Sequence, residues 1–113
     1  MSALPPHAFG LHLPTGAIGQ RIDAAWRGFG TSCLSEREGE VLRLILRGQS
    51  SKGIARMLGN SPETIKVYRK RIHSKLGLGS TGELFSLFMA ALCAMPEDCA
   101  GDPLLFLPHR PLP

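Results

Sequence analysis

A chain of 113 residues, 43% hydrophobic and with a formal net charge of +4, has the size of one domain with flanks and enough apolar content for a core. This argues against wholesale disorder and against an elaborate two-domain enzyme. The longest apolar run, Leu84 to Met95 with Ser86 inside it, falls short of the roughly 18 residues a spanning helix needs, no basic start leads into an apolar block, and three cysteines (Cys33, Cys93, Cys99) make no disulfide framework, so a cytoplasmic chain without membrane span or signal peptide is expected.

Residues 1–17 are rich in Pro, Gly and His, carry no period and read as a loose tail. Ile18, Ile22, Ala25, Trp26 and Phe29 then fall on one stripe at helical spacing, closed by Gly28 and Gly30, which predicts a short amphipathic helix over about 18–28. Residues 1–33 are thus a tail plus one helix. Residues 34–94 show four further helices, and 95–113, with five prolines from Pro96 onward, read as a Pro-rich tail or extended arm.

The first helix of the 34–94 block starts at Ser35. With Glu38 three residues on, Ser35 forms a capping box, in which hydroxyl and carboxylate each satisfy a free amide. Val41, Leu42, Ile45 and Leu46 make the buried stripe, and Gly48 is the expected stop. Gly39 in mid-helix should cost about 1 kcal/mol against Ala. The second helix is short: Ser50 or Ser51 caps it, Ile54, Ala55 and Leu58 face inward, and Gly59 ends it. The third has Ser61 as cap and Pro62 at its first position, where a missing amide does no harm, and runs to about Leu76 before Gly77. Ser80 and Glu83 form a second capping box for the fourth helix, which runs to about Ala94.

Charge is unevenly spread over these elements. Residues 51–76 hold Lys52, Arg56, Lys66, Arg69, Lys70, Arg71 and Lys75 against Glu63 alone, whereas 34–50 balance and 77–113 are acidic. Such a local excess is a footprint for a polyanion. The second and third helices meet at Gly59-Asn60-Ser61. Ala55 before the turn lets two helix backbones approach, Gly59 can take a positive φ, and Ile65 after it can wedge one helix against the other. That spacing is a helix-turn-helix. At 100° per residue, Ile65, Tyr68, Ile72 and Leu76 gather on one side of the third helix, and Glu63, Lys66, Val67, Lys70, His73 and Ser74 on the other. A face led by lysines and one small apolar residue suits the major groove of duplex DNA. Arg69, Arg71 and Lys75 at its flanks suit phosphate.

Residues 34–76 resemble the LuxR/GerE-type helix-turn-helix of bacterial transcription regulators. The carrying segments are Leu34-Ser35-Glu36-Arg37-Glu38, Glu40-Val41-Leu42, Gly48-Gln49-Ser50-Ser51-Lys52, Ile54-Ala55, Thr64-Ile65-Lys66-Val67-Tyr68, Ile72 and Lys75-Leu76-Gly77, with a weaker continuation through Ser80, Glu83 and Leu84. The resemblance implies an all-α, four-helix bundle, here with an extra short N-terminal helix and a Pro-rich C-terminal tail, whose third helix (about 62–76) enters the major groove. It implies base-facing roles for Lys66, Val67 and Lys70, and backbone or positioning roles for Ser51, Lys52, Thr64 and Tyr68. It also implies homodimerisation through the fourth helix, with RNA polymerase as a further candidate partner. The sequence departs from the family pattern at Gly39, Ser51, Gly53, Asn60 and Tyr68. Gly53 breaks a capping box of the second helix, and Asn60 stands where an apolar residue is usual.

The fourth helix is apolar almost all round, from Leu84 and Phe85 to Cys93. One buried face needs about half of that, so the surplus points to a partner surface, with Leu84, Leu87, Phe88 and Ala91 as its expected members. The other reading is that Trp26 and Phe29 cover this helix within the same chain, and both can hold together. His7, His12, His73 and His109 are scattered, and the cysteines lack C-x-x-C spacing. No metal, cofactor or enzymatic constellation is therefore expected. His73 reads as a surface or phosphate-contacting side chain, and Cys33 as a small filler. The expectation is a DNA-binding transcription regulator. Two other readings stay open: an interaction protein that sequesters a larger regulator through its fourth helix, and a sigma-factor-like promoter module, against which Thr64-Ile65-Lys66 argues. Residues 1–33 are too short for a sensor domain, and Met1 favours a natural single-domain form over a fragment.

Overall fold

In the computed structural model, residues 16–96 and 101–107 are described. The chain order is α1 (Ala17–Gly28), α2 (Glu36–Leu46), α3 (Ser51–Leu58), α4 (Pro62–Leu76), α5 (Thr81–Ala94) and a 3-10 turn at Pro103–Phe106, with no strand among the described residues. The fold is all-helical, as expected. The expectations for residues 1–15, Cys99, His109 and the last prolines lie outside the described residues.

Local chemistry sets the helix ends. Ser35 accepts from the Glu38 amide at 3.1 Å while the Glu38 carboxylate accepts from the Ser35 amide at 2.9 Å, so the capping box is complete. Ser50, not Ser51, caps α3, through the Gly53 amide. Ser61 caps α4 with Pro62 at its first turn. Ser80 caps α5 through the Glu83 amide at 3.2 Å, but the Glu83 carboxylate meets the Ser80 hydroxyl at 3.4 Å instead of its amide, so this box is only half formed. Gly59 closes α3 at φ 70°, in the left-handed region that a side chain would strain.

The core is built on α4 packed against α2 and α3, and α5 adds its buried side to it. Val41, Leu42, Ile45, Ile54, Ile65, Ile72, Leu76 and Leu84 are buried in it. α1 joins this core through three contacts. Phe29 packs edge-on against Phe88 with ring centroids 5.2 Å apart. The Trp26 indole N–H donates to the Arg43 carbonyl at 3.1 Å, and the Arg47 guanidinium lies 4.4 Å over the ring. Arg21 donates to the Leu92 carbonyl at 3.0 Å and to the Met95 carbonyl, placing a cation on the free carbonyls at the end of α5.

The stretch expected to be a tail or arm is docked over 101–107. Asp102 is buried and caps the 3-10 turn through the Leu104 amide. Its two oxygens also accept from the Gly30 amide at 3.0 Å, the Ser32 amide at 3.0 Å and the Ser32 hydroxyl at 2.6 Å. Gly28 permits this approach, because a Cβ there would stand 2.1 Å from the Gly101 carbonyl oxygen. One buried carboxylate thus ties the end of the described chain to the α1–α2 connection.

No single helix among the described residues is long and apolar enough to cross a membrane. Among them, no three His, Cys, Asp or Glu side chains cluster as a metal site requires.

Candidate nucleic-acid interface

Burial on α4 follows its amphipathic period. Ile65, Ile72 and Leu76 are buried and wedge the helix against α2 and α3. Lys66, Val67 and Lys70 are exposed together on the opposite face, with Val67 48% accessible despite its apolar side chain. Among the described residues no carboxylate lies within ion-pair distance of Lys66 or Lys70; the ion pairs there are Asp23–Arg27, Arg37–Glu40 and Glu38–Lys75. Two uncompensated ammonium groups one turn apart, with a small apolar side chain between them, can meet acceptors and a methyl group on the edge of a base-paired duplex.

The expected backbone-contacting residues divide into two sets. Lys52 on α3 and Arg71 on α4 are exposed, and Ser51 is half-exposed at the start of α3. Tyr68 is half-buried against the core, and the Arg71 guanidinium lies 5.9 Å from its ring centroid. These four remain able to reach phosphate. Thr64, Arg69 and Lys75 each already have a polar partner within the chain. The Thr64 hydroxyl is 2.9 Å from the Ser61 hydroxyl. Arg69 donates to the Thr81 hydroxyl at 2.9 Å, joining α4 to the start of α5. Lys75 stands 2.7 Å from Glu38. His73, expected at the surface, is half-buried, with its Nε2 shielded and unpartnered among the described residues.

The Glu38 carboxyl is held below its usual range, first by the hydrogen bond from Lys75 and then by the Ser35 amide, against the opposing effect of burial. The charge of Lys75 is thereby compensated, and the exposed cations of residues 51–76 without an ion-pair partner among the described residues are Lys52, Arg56, Lys66, Lys70 and Arg71.

Two features go beyond the expectations from the sequence. Asn60, which looked like a defect in the turn, accepts from Arg37 at 3.1 Å through Oδ1, and the same guanidinium donates to the Leu58 carbonyl at 3.2 Å. The turn is clasped by a cation where apolar packing is usual. The second feature is Asp102, whose local signal was legible: an Asp directly before Pro is an N-cap followed by a residue fit for the first turn.

The expected partner surface on α5 needs correction. Leu84 and Ala91 are fully buried, Phe88 is covered by Phe29, and Leu87 is half-buried against the same core. They serve the interior of their own chain because α1 and residues 101–107 cover that side of α5. The outward face carries Phe85, Ser86, Met89, Ala90 and Cys93, with Met89 54% accessible.

The family model described as bacterial regulatory proteins, luxR family, matches residues 32–88. The chain belongs to the luxR family. Its helix-turn-helix is the DNA-binding module of transcription regulators, not an enzyme domain. Transcriptional regulatory protein TdiR of Thauera aromatica is 47% identical over 71 residues, which are 63% of this chain and 31% of TdiR. Transcriptional regulatory protein FixJ of Azorhizobium caulinodans is 38% identical over 65 residues, 58% of this chain and 31% of FixJ. Response regulator UvrY of Escherichia coli is 41% identical over 54 residues, 48% of this chain and 25% of UvrY. The chain therefore spans a third or less of these relatives. No solved structure matches. The luxR-type match stops at residue 88, inside α5, and starts after α1.

Proposed function

We propose that this luxR-family chain is a sequence-specific transcription regulator that lays α4 in the major groove of duplex DNA in the cytoplasm. Lys66 and Lys70 donate to guanine O6 and N7, Val67 meets a thymine methyl, and Ser51, Lys52, Tyr68 and Arg71 hold phosphates. The observation that carries the reading is the exposed, uncompensated set Lys66, Val67 and Lys70 on the face of α4 opposite its buried stripe.

The chain acts as a homodimer through the outward face of α5, so that two copies read two half-sites. What supports this is composition. From Leu84 to Ala94 the helix bears no charge, and its exposed positions are Phe85, Ser86, Met89, Ala90, Cys93 and Ala94. A surface helix without charge wants cover.

The test is a gel-shift on genomic fragments across a salt series. A regulator of this kind shifts a subset of fragments, and its affinity falls steeply with salt as phosphate contacts release counterions. Absence of any shift or salt slope would contradict the reading and favour a protein that pairs with a larger regulator.

A further inference from the structure

Arg37 and Glu38 are neighbours in the first turn of α2, and each reaches α4 or the turn that leads into it. Arg37 donates to the Leu58 carbonyl and to Asn60 Oδ1, at the turn that ends one residue before the α4 cap. Glu38 accepts from Lys75, in the last turn of α4. A helix of 15 residues is about 22 Å long, so two adjacent side chains on one element act near both of its ends. We propose that the first turn of α2 is a two-point mount for the recognition helix, in which Arg37 and Glu38 are positioning residues that set its angle in the groove and so its sequence discrimination, without touching DNA.

The physical reasons are specific. Arg37 donates from one nitrogen, Nη2, to a helix-end carbonyl and a side-chain amide, while Nη1 pairs with Glu40 of its own helix at 3.2 Å, so the rigid guanidinium plane fixes the turn in orientation as well as in distance. Glu38 is 4% accessible, and its Oε1 accepts from both the Ser35 amide and Lys75. The capping box that starts α2 therefore also anchors the end of α4. Base readout needs groups placed to within a fraction of an ångström, because the donors on Lys66 and Lys70 must match fixed acceptors. Phosphate contact tolerates tilt. Loosening the mount thus harms discrimination more than affinity for random DNA.

The inference rests on the DNA-binding reading of α4 and is tested beside it. The variants are Arg37→Met, which keeps the stem and removes the fork, Lys75→Met, and the milder Asn60→Ala. Affinities for a duplex selected from a random pool and for random duplex are measured across salt, at a temperature where circular dichroism shows each variant folded. Arg37→Met and Lys75→Met are each expected to lower the ratio of the two affinities about tenfold, the discrimination of roughly one base pair. The salt slope on random duplex stays that of the parent chain, and Asn60→Ala shows a smaller fall of the same kind. A ratio unchanged in the folded variants overturns the mount. So does a salt slope lowered by about 0.9 in Arg37→Met or Lys75→Met, which marks a direct phosphate contact. A parent chain that discriminates while these variants do so equally well fails the mount alone. A parent chain that binds no duplex fails the reading of α4 and the mount with it.

Discussion

Lys75 Nζ stands 2.7 Å from Glu38 Oε1, joining the last turn of α4 to the first turn of α2 across 37 positions of sequence. The contact lowers the Glu38 pKa from the ordinary 4.5. A carboxyl whose folded pKa is depressed adds stability above its unfolded value and loses it as the pH falls through the folded one. Glu38→Gln should therefore be less stable than the parent chain by about 1–2 kcal/mol at neutral pH. The gap should narrow as the pH is taken below 4.5, which urea titrations at several pH values would read directly. A gap independent of pH would mean that the carboxylate charge does not matter to the contact.

Asp102 is the second long-range tie. Replacing it with Ala leaves the Gly30, Ser32 and Leu104 amides without their acceptor. The expected cost is about 2–3 kcal/mol, with faster hydrogen exchange at those amides and little change in α4. Equal stability of Asp102→Ala and the parent would show that the docked turn contributes nothing to the fold.

Gly39 is a defect that can be repaired. It sits inside α2 without a positive φ, and a Cβ there would meet only the flexible end of Arg43, at 3.4 Å. Gly39→Ala should stabilise the chain by about 0.5–1 kcal/mol, seen as a rise in melting temperature. Loss of stability would mean that the Arg43 side chain cannot move aside.

On α5, position decides the outcome of the same substitution. Met89→Glu, on the outward face, should leave a folded chain and abolish self-association in sedimentation. Leu84→Glu, fully buried, should unfold the chain, since it puts a charge into the core without a partner. A parent chain that sediments as a monomer at high concentration would contradict the dimer.

The sequence was most readable where the physics is local. The Ser35–Glu38 box, Pro62 after Ser61 and the stops at Gly59 and Gly77 act within a few residues, so their elements were legible with close bounds. The face of α4 was legible because its polar and apolar residues alternate at the helical period. The sides of α5 were not. A helix apolar all round has no period to reveal which side is covered, so the sequence leaves Leu84, Phe88 and Ala91 open between a partner surface and cover by Trp26 and Phe29, and it is Phe29 and residues 101–107 that lie on that side. The partners of Arg69 and Lys75 within the chain were illegible for a related reason, since Thr81 and Glu38 are brought to them by packing between helices.

The central claim is that Lys66 and Lys70 read bases. Its most direct test is the affinity of Lys66→Ala and Lys70→Ala for a selected duplex and for random duplex at one salt concentration. Each variant should lose about 1–3 kcal/mol on the selected duplex and much less on the random one. Equal losses on both would reduce these lysines to phosphate contacts and contradict the account.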